Sequence, residues 1–197
     1  KKQYYTLISE FMLQQTQVTT VIPFFNRFIK NLPSINSLAK VNDKRLIKLW
    51  EGLGYYSRAR NLKKTAVSII KNFEGKLPDN LEDLLTLPGI GSYTANAILA
   101  IAFNKPYIPL DGNIERILKR YLYLKKNKEI QRDYLLQRKI VFGKTLRSSD
   151  YAQALMELGA LICKPKNPLC NQCPIIKNCK SYKNKDFSLT KKIKKNK

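Results

Sequence analysis

The chain of 197 residues contains no histidine. Imidazole is therefore excluded as a metal ligand and as the general base that works near neutral pH, so acid–base chemistry falls to carboxylates, Tyr or Lys. Acidic residues are scarce, 14 against 37 Lys and Arg, which leaves a formal charge of +23. Part of that excess goes with a composition rich in Lys, Asn and Ile, but its size points to a polyanionic partner, nucleic acid first. Apolar runs all fall short of the roughly 20 residues that a membrane span requires. No charged, then apolar, then small-residue leader opens the chain. A cytoplasmic, nucleoid-associated protein is expected (nuclear or mitochondrial in a eukaryote), without a membrane partner. No stretch sustains period-two alternation, so strands are not expected and the fold class is all-α. Cysteine is absent until residue 163, and the chain starts at Lys1 rather than Met, almost directly in helical sequence, so a preceding segment is expected.

What is present supports a folded protein. Hydrophobic residues make up 44%, enough for one good core or two small ones. Helical periodicity runs through Tyr4, Leu7, Ile8 and Phe11, with Glu10 off the most apolar line. A second amphipathic helix carries Val18, Ile22, Phe25, Phe28 and Ile29 and stops before Pro33. Short helices follow with Ser34 and Asp43 as N-caps. After the turn Gly52-Leu53-Gly54-Tyr55-Tyr56, Ser57 opens a long helix to about Asn72. Leu81–Leu85, an Ala-rich buried helix Ser92–Phe103, a helix capped by Asp111, and helices over Glu129–Phe142 and Ser149–Cys163 complete the series. Beyond Tyr182 the sequence is polar and Lys-rich, and a disordered tail is expected there.

Three motifs carry chemistry. Leu87-Pro88-Gly89-Ile90-Gly91 lies between two helices. Pro ends the first, and glycines permit angles that side chains forbid and bring backbone N–H groups to a phosphate at the next helix N-terminus. Alone, the pentapeptide is equally a tight helix–helix turn. Leu110-Asp111-Gly112-Asn113 places a carboxylate at an N-cap. An isolated Asp there is an ordinary cap worth about 1 kcal/mol, but Gly112 leaves space beside it and Asn113 can orient it, as sugar chemistry through a developing cation would need. The cysteines Cys163, Cys170, Cys173 and Cys179 are spaced C-x6-C-x2-C-x5-C. Two disulfides, a four-thiolate zinc site and a four-iron cluster all fit that spacing.

The segments Ser9-Glu10-Phe11-Met12-Leu13-Gln14-Gln15-Thr16-Gln17-Val18 and Gly52-Leu53-Gly54-Tyr55-Tyr56-Ser57-Arg58-Ala59-Arg60-Asn61 are the most specific part of a wider likeness. With the hairpin, Leu110-Asp111-Gly112-Asn113, Glu157-Leu158-Gly159-Ala160 and the cysteine spacing, the chain from about Tyr5 to Tyr182 resembles the MutY-type adenine DNA glycosylases, within the endonuclease III-like helix–hairpin–helix superfamily. The resemblance implies a [4Fe-4S] cluster on the four cysteines. It implies two lobes with the active cleft between them: residues 1–104, six helices with the hairpin, and 105–182, the cluster lobe, followed by the basic tail 183–197. It implies a monomer that acts on double-stranded DNA with adenine opposite 8-oxoguanine or guanine, flipping the adenine out and hydrolysing its N-glycosidic bond. Glu10 would protonate the adenine, which needs a raised pKa. Asp111 would support the sugar cation with Asn113 holding it, and Tyr93 would shape the site near Glu10. Relatives that cut the backbone carry a lysine nucleophile at that position, so Tyr93 implies base removal without strand cleavage. Gln15, Thr16, Leu53 and Tyr55 match positions that probe the opposite strand, Gly89 and Gly91 the phosphate contact, and Gln153 a residue that contacts adenine; Arg58 is expected to reach a phosphate. A thymine or uracil mismatch glycosylase and a non-catalytic DNA-binding module are the alternatives. Family members also carry an upstream Pro-Trp stretch and a C-terminal 8-oxoguanine-recognition domain, neither represented in this chain, so a fragment or a short member is expected.

Overall fold

The computed structural model describes residues 2–124 and 146–187, all of its regular structure helical, with no strand among them. The helix expected over 129–142 and the tail beyond residue 187 lie outside the described residues. The chain divides into two compact units, Lys1–Lys105 and Pro106–Lys197.

In the first unit, α1 (Lys2–Leu13) and α7 (Ser92–Phe103) pack against each other at the centre. Leu7, Ile8, Phe11 and Met12 of α1 are fully buried, as are Ala95, Ala97, Ile98, Leu99 and Ala100 of α7. The run of alanines removes side-chain bulk and lets the two helices approach, which is why α7 shows almost no polar face. Around this pair lie α2 (Val18–Asn31), α3 (Ile35–Lys40), α4 (Asp43–Trp50), α5 (Ser57–Asn72) and α6 (Leu81–Thr86). Trp50 is buried edge-on against Phe28, ring centroids 5.9 Å apart.

Local sequence explains most boundaries. Ser34 caps α3 in a reciprocal box with Ser37, and Asn80 caps α6. The cap of α4 is Asn42, whose side chain accepts from the Arg45 N–H at 2.8 Å; the expected cap Asp43 is the first helical residue and pairs with Lys63 at 2.5 Å. The apolar stripe expected on α2 is only partly used: Val21 and Phe28 are buried, but Val18 and Ile22 are 60% and 52% exposed.

The second unit holds α8 (Gly112–Leu122), α9 (Ser148–Glu157) and α10 (Lys180–Lys183). Its core is Ile108, Ile114, Ile117, Leu118, Leu155 and Leu158. The helix expected to run to Cys163 stops being α-helical at Glu157 and continues as a wider π-turn, Leu158–Ile162, closed by the Cys163 N–H on Leu158 O at 2.7 Å. The turn contains a close approach that requires glycine: a Cβ on Gly159 would lie 2.7 Å from Asn113 Cβ. The π-turn seats backbone directly against the residue beside Asp111, the kind of place where such turns occur.

Candidate active site

Glu10 lies on the buried side of α1, 6% exposed. Burial raises its carboxyl to about 7 from an ordinary 4.5, so it holds a proton to near neutral pH, as a general acid requires. This is not a solvated helix glutamate. Tyr93 stands exposed in the first turn of α7, the helix that packs on α1.

The hairpin joins α6 to α7. Gly89 has φ +80°, and a Cβ there would lie 2.9 Å from Asn61 Cβ and 3.0 Å from the Phe11 ring. Gly91 differs from the expectation that both glycines serve backbone angles: its φ is −94°, and a Cβ there would meet nothing within 4 Å. It is the exposed N-cap of α7 and has no side chain with which to cap the first-turn N–H groups. The inner side of the turn is pinned by Thr65 Oγ1 donating to Pro88 O at 2.6 Å and by Gln14 Nε2 donating to Gly89 O at 3.3 Å and Thr94 Oγ1 at 3.4 Å. The two glycines therefore separate in their effects. Gly89→Ala is expected to cost about 2–4 kcal/mol from left-handed backbone and overpacking, whereas Gly91→Ala is expected to melt as the parent does and to lose DNA affinity. Thermal melting and a DNA titration of both variants check this.

Two turns flank the end of α1. Gln15 (φ 57°) and Tyr55 (φ 47°) are both left-handed, which is uncommon for residues with side chains and costly for a bulky one. Gln15 is exposed, Thr16 half-buried, and Tyr55 60% exposed. Leu53, expected to probe the opposite strand, is buried in this structure. Arg58 also departs from expectation. It is buried, and its terminal nitrogens donate to backbone carbonyls of Met12 (2.6 Å), Phe11, Gln14, Leu53 and Gly54 rather than pointing outward.

In the second unit Asp111 caps α8. Its Oδ1 accepts from the N–H groups of Asn113 (3.0 Å) and Ile114 (2.8 Å), and its Oδ2 from Asn113 Nδ2 at 3.1 Å. Gly112 leaves open space beside it, with nothing within 4 Å of where a Cβ would be. Asn113 is held in turn by Arg116, a residue not singled out in the sequence. Arg116 Nη2 donates to Asn113 Oδ1 at 2.9 Å and Gly159 O at 2.7 Å, and its Nε to Cys163 O at 2.7 Å. Gln153 is exposed on α9 and turned back on its own helix, Nε2 donating to Ser149 O at 3.1 Å.

All four cysteines line one cavity. Ile117, Leu158, Ile162, Ile175 and Ile176 form apolar walls beside them. Burial, followed by the negative charge of the other three sulfurs, pushes the Cys170 thiol up; mutual repulsion of that kind is relieved when thiolates share a cation. Arg120 adds donors, Nη1 to Cys163 Sγ at 3.4 Å and to Lys164 O at 2.7 Å. Among the described residues, no set of three or more His, Cys, Asp or Glu closes on one point as a single metal ion would require. The four thiols beside these apolar walls have the chemistry of donors to a metal group.

A helical fold with a glycine hairpin, a buried acid and a capped aspartate defines a helix–hairpin–helix repair protein. Residues 8–140 match the family model described as "HhH-GPD superfamily base excision DNA repair protein", and the chain belongs to that superfamily. It is similar to the protein named Adenine DNA glycosylase of Buchnera aphidicola subsp. Baizongia pistaciae (strain Bp), 45% identical over 184 residues, 93% of this chain and 52% of that one. It is also similar to the protein of that name in Homo sapiens, 38% identical over 186 residues, 92% of this chain and 34% of that one. The chain thus spans about half the length, or less, of these curated relatives. Among solved structures, a thermostable thymine-DNA glycosylase superposes with TM-score 0.81 at 28% identity, over 93% of this chain and 85% of that chain. An endonuclease III–DNA complex gives 0.77 at 24% identity, over 94% and 86%, and shares the fold.

Proposed function

We propose that this chain carries the base-excision chemistry of an adenine DNA glycosylase acting on double-stranded DNA with adenine opposite 8-oxoguanine or guanine. The observation that carries the reading is a pair of carboxyls in unlike settings: Glu10, buried and protonated to about pH 7, and Asp111, half-buried and fixed by three hydrogen bonds. A buried carboxyl that keeps its proton suits the role of acid, and one held in place by hydrogen bonds at a helix N-terminus suits that of fixed charge stabiliser. Glu10 gives its proton to a ring nitrogen of the flipped adenine. The C1′–N9 bond then breaks, its electron pair leaving with the base. The Asp111 carboxylate stabilises the positive sugar, and water adds at C1′, giving up a proton that restores the Glu10 carboxyl, to leave an abasic site and free adenine. Asn113 keeps the aspartate in place, Tyr93 shapes the site from the first turn of α7, and the amides opened by Gly89 and Gly91 take a backbone phosphate.

We assign the four cysteines to a [4Fe-4S] cluster, for which they would be the four thiolate donors. When bound it supplies a cross-link for the segment between Cys163 and Cys179. A straw-brown preparation with four irons per chain checks this; one zinc per chain overturns it.

Incubation with duplexes holding A opposite 8-oxoguanine, A opposite G, and T opposite G, followed by alkali, tests the reaction. Excision of adenine that disappears in Glu10→Gln is the expected result; excision of thymine, or binding without excision, overturns it. Because Tyr93 cannot form a Schiff base, borohydride trapping is expected to be far weaker than base release. Trapping in proportion to excision would show a lysine nucleophile instead.

A further inference from the structure

Arg58 is placed as a staple rather than as a surface cation. Its guanidinium joins the end of α1, through Phe11, Met12 and Gln14 carbonyls, to the turn before α5, through Leu53 and Gly54 carbonyls. The residues next along the chain are Gln15 on one side and Tyr55 on the other, both left-handed. The guanidinium also lies between two rings, 5.6 Å from the Trp50 centroid and 5.3 Å from that of Tyr55. Trp50 Nε1 shares the work, donating to Gly54 O at 3.0 Å. Neither turn is self-supporting: Gly52 (φ 95°) and Gly54 (φ 72°) make the second one permissive, and left-handed residues with side chains persist only where the surroundings over-determine them. Among the described residues, Arg58 is the one side chain hydrogen-bonded to both turns. Its own Nε stays buried without a hydrogen-bond partner, so the fork is aimed at the turns rather than at satisfying itself.

We propose that Arg58 is a positioning residue that locks the turns bearing Gln15 and Tyr55 into one rigid reader of the strand opposite the extruded base. The inference rests on the reading that these turns meet that strand. Lysine cannot replace the residue, because a single ammonium has no planar fork to span five carbonyls in two segments. Loss of the staple therefore costs discrimination of the opposite base more than it costs bond cleavage.

Single-turnover excision by Arg58→Lys, on adenine opposite guanine and on adenine opposite an abasic analogue, separates this role from a merely structural one. The variant is expected to lose about tenfold more on the first duplex than on the second, since only the first has an opposite base to read. Equal losses on the two duplexes, or none, overturn the proposal. Should Arg58→Lys fail to fold, Gln15→Ala and Tyr55→Ala test the coupling without touching the staple. One rigid unit predicts a combined loss on adenine opposite guanine at least about fivefold smaller than the product of the single losses; independent, multiplying losses overturn the proposal. If the parent chain releases no base from any duplex, the glycosylase reading fails instead. The affinities of parent and Arg58→Lys for the same duplexes with 2′-fluoroadenosine then still show whether the preference for an opposite guanine depends on Arg58.

Discussion

Glu10→Gln is expected to lose adenine excision by about 10²–10⁴-fold, the range typical of a positioned general acid, and to be more stable than its parent at pH 8. The opposite signs come from one cause. Burial lifts the folded-state carboxyl to about 7 from 4.5, while the unfolded chain releases that proton at the ordinary value. Between pH 4.5 and 7 the unfolded state binds fewer protons than the folded one, so parental stability falls as pH rises through that window and levels off above it. The full loss amounts to about 3 kcal/mol. Glutamine keeps the shape, does not ionise and has no such slope. Urea unfolding of both proteins from pH 5 to 8 should give curves that separate progressively. The parent's excision rate should fall above about pH 7, as the acid loses its proton. A variant less stable than the parent at pH 8 would contradict the buried-acid account. A buried acid of this kind lowers the stability of the fold above pH 7, a cost that the proposed acid role accounts for.

Signals within one helical turn were legible in the sequence; those made across the chain were not. The long helix Ser57–Asn72 and the Ala-rich helix Ser92–Phe103 stand where apolar patterning and the glycine turns before them put them, because both signals lie within neighbouring residues. The cap of α4 falls on Asn42 rather than Asp43 because the two adjacent residues are equally good acceptors and only the chain's entry angle decides. Asp111 and its Asn113 partner were legible for the same local reason. Arg58 was not: the carbonyls it serves in α1 are supplied by a distant segment, so nothing nearby in sequence separates a buried fork from a surface cation. The π-turn at Leu158–Ile162 contains the approach of Gly159 to Asn113, another contact with no local trace. Gln14 had a weak signal, a polar residue one turn after Glu10, but its hairpin contact comes from tertiary packing.

Arg116→Met carries the other large expected effect. The substitution keeps much of the apolar stem and removes the donors to Asn113 Oδ1, Gly159 O and Cys163 O. An acceptor left unpaired away from water costs about 1–3 kcal/mol, so a total loss of about 3–5 kcal/mol is expected in chemical unfolding. The activity should fall further than stability explains, and in a particular way. Asn113 Nδ2 holds Asp111 Oδ2 only while its own Oδ1 is anchored. Freed to rotate, it no longer holds Oδ2, so the carboxylate is left on the two backbone bonds of Oδ1 and loses part of the preorganisation on which electrostatic stabilisation depends. The excision rate at saturating DNA should therefore drop while affinity for the duplex is retained. Asn113→Ala added to Arg116→Met should cost little more, since both act on one carboxylate. Because Arg116 also binds the carbonyl of the first cysteine, iron should be lost faster to a chelator in the same variant. If affinity and rate fell together, or iron were held as in the parent, Arg116 would be a packing residue and the link between Cys163 and Asp111 would be without consequence.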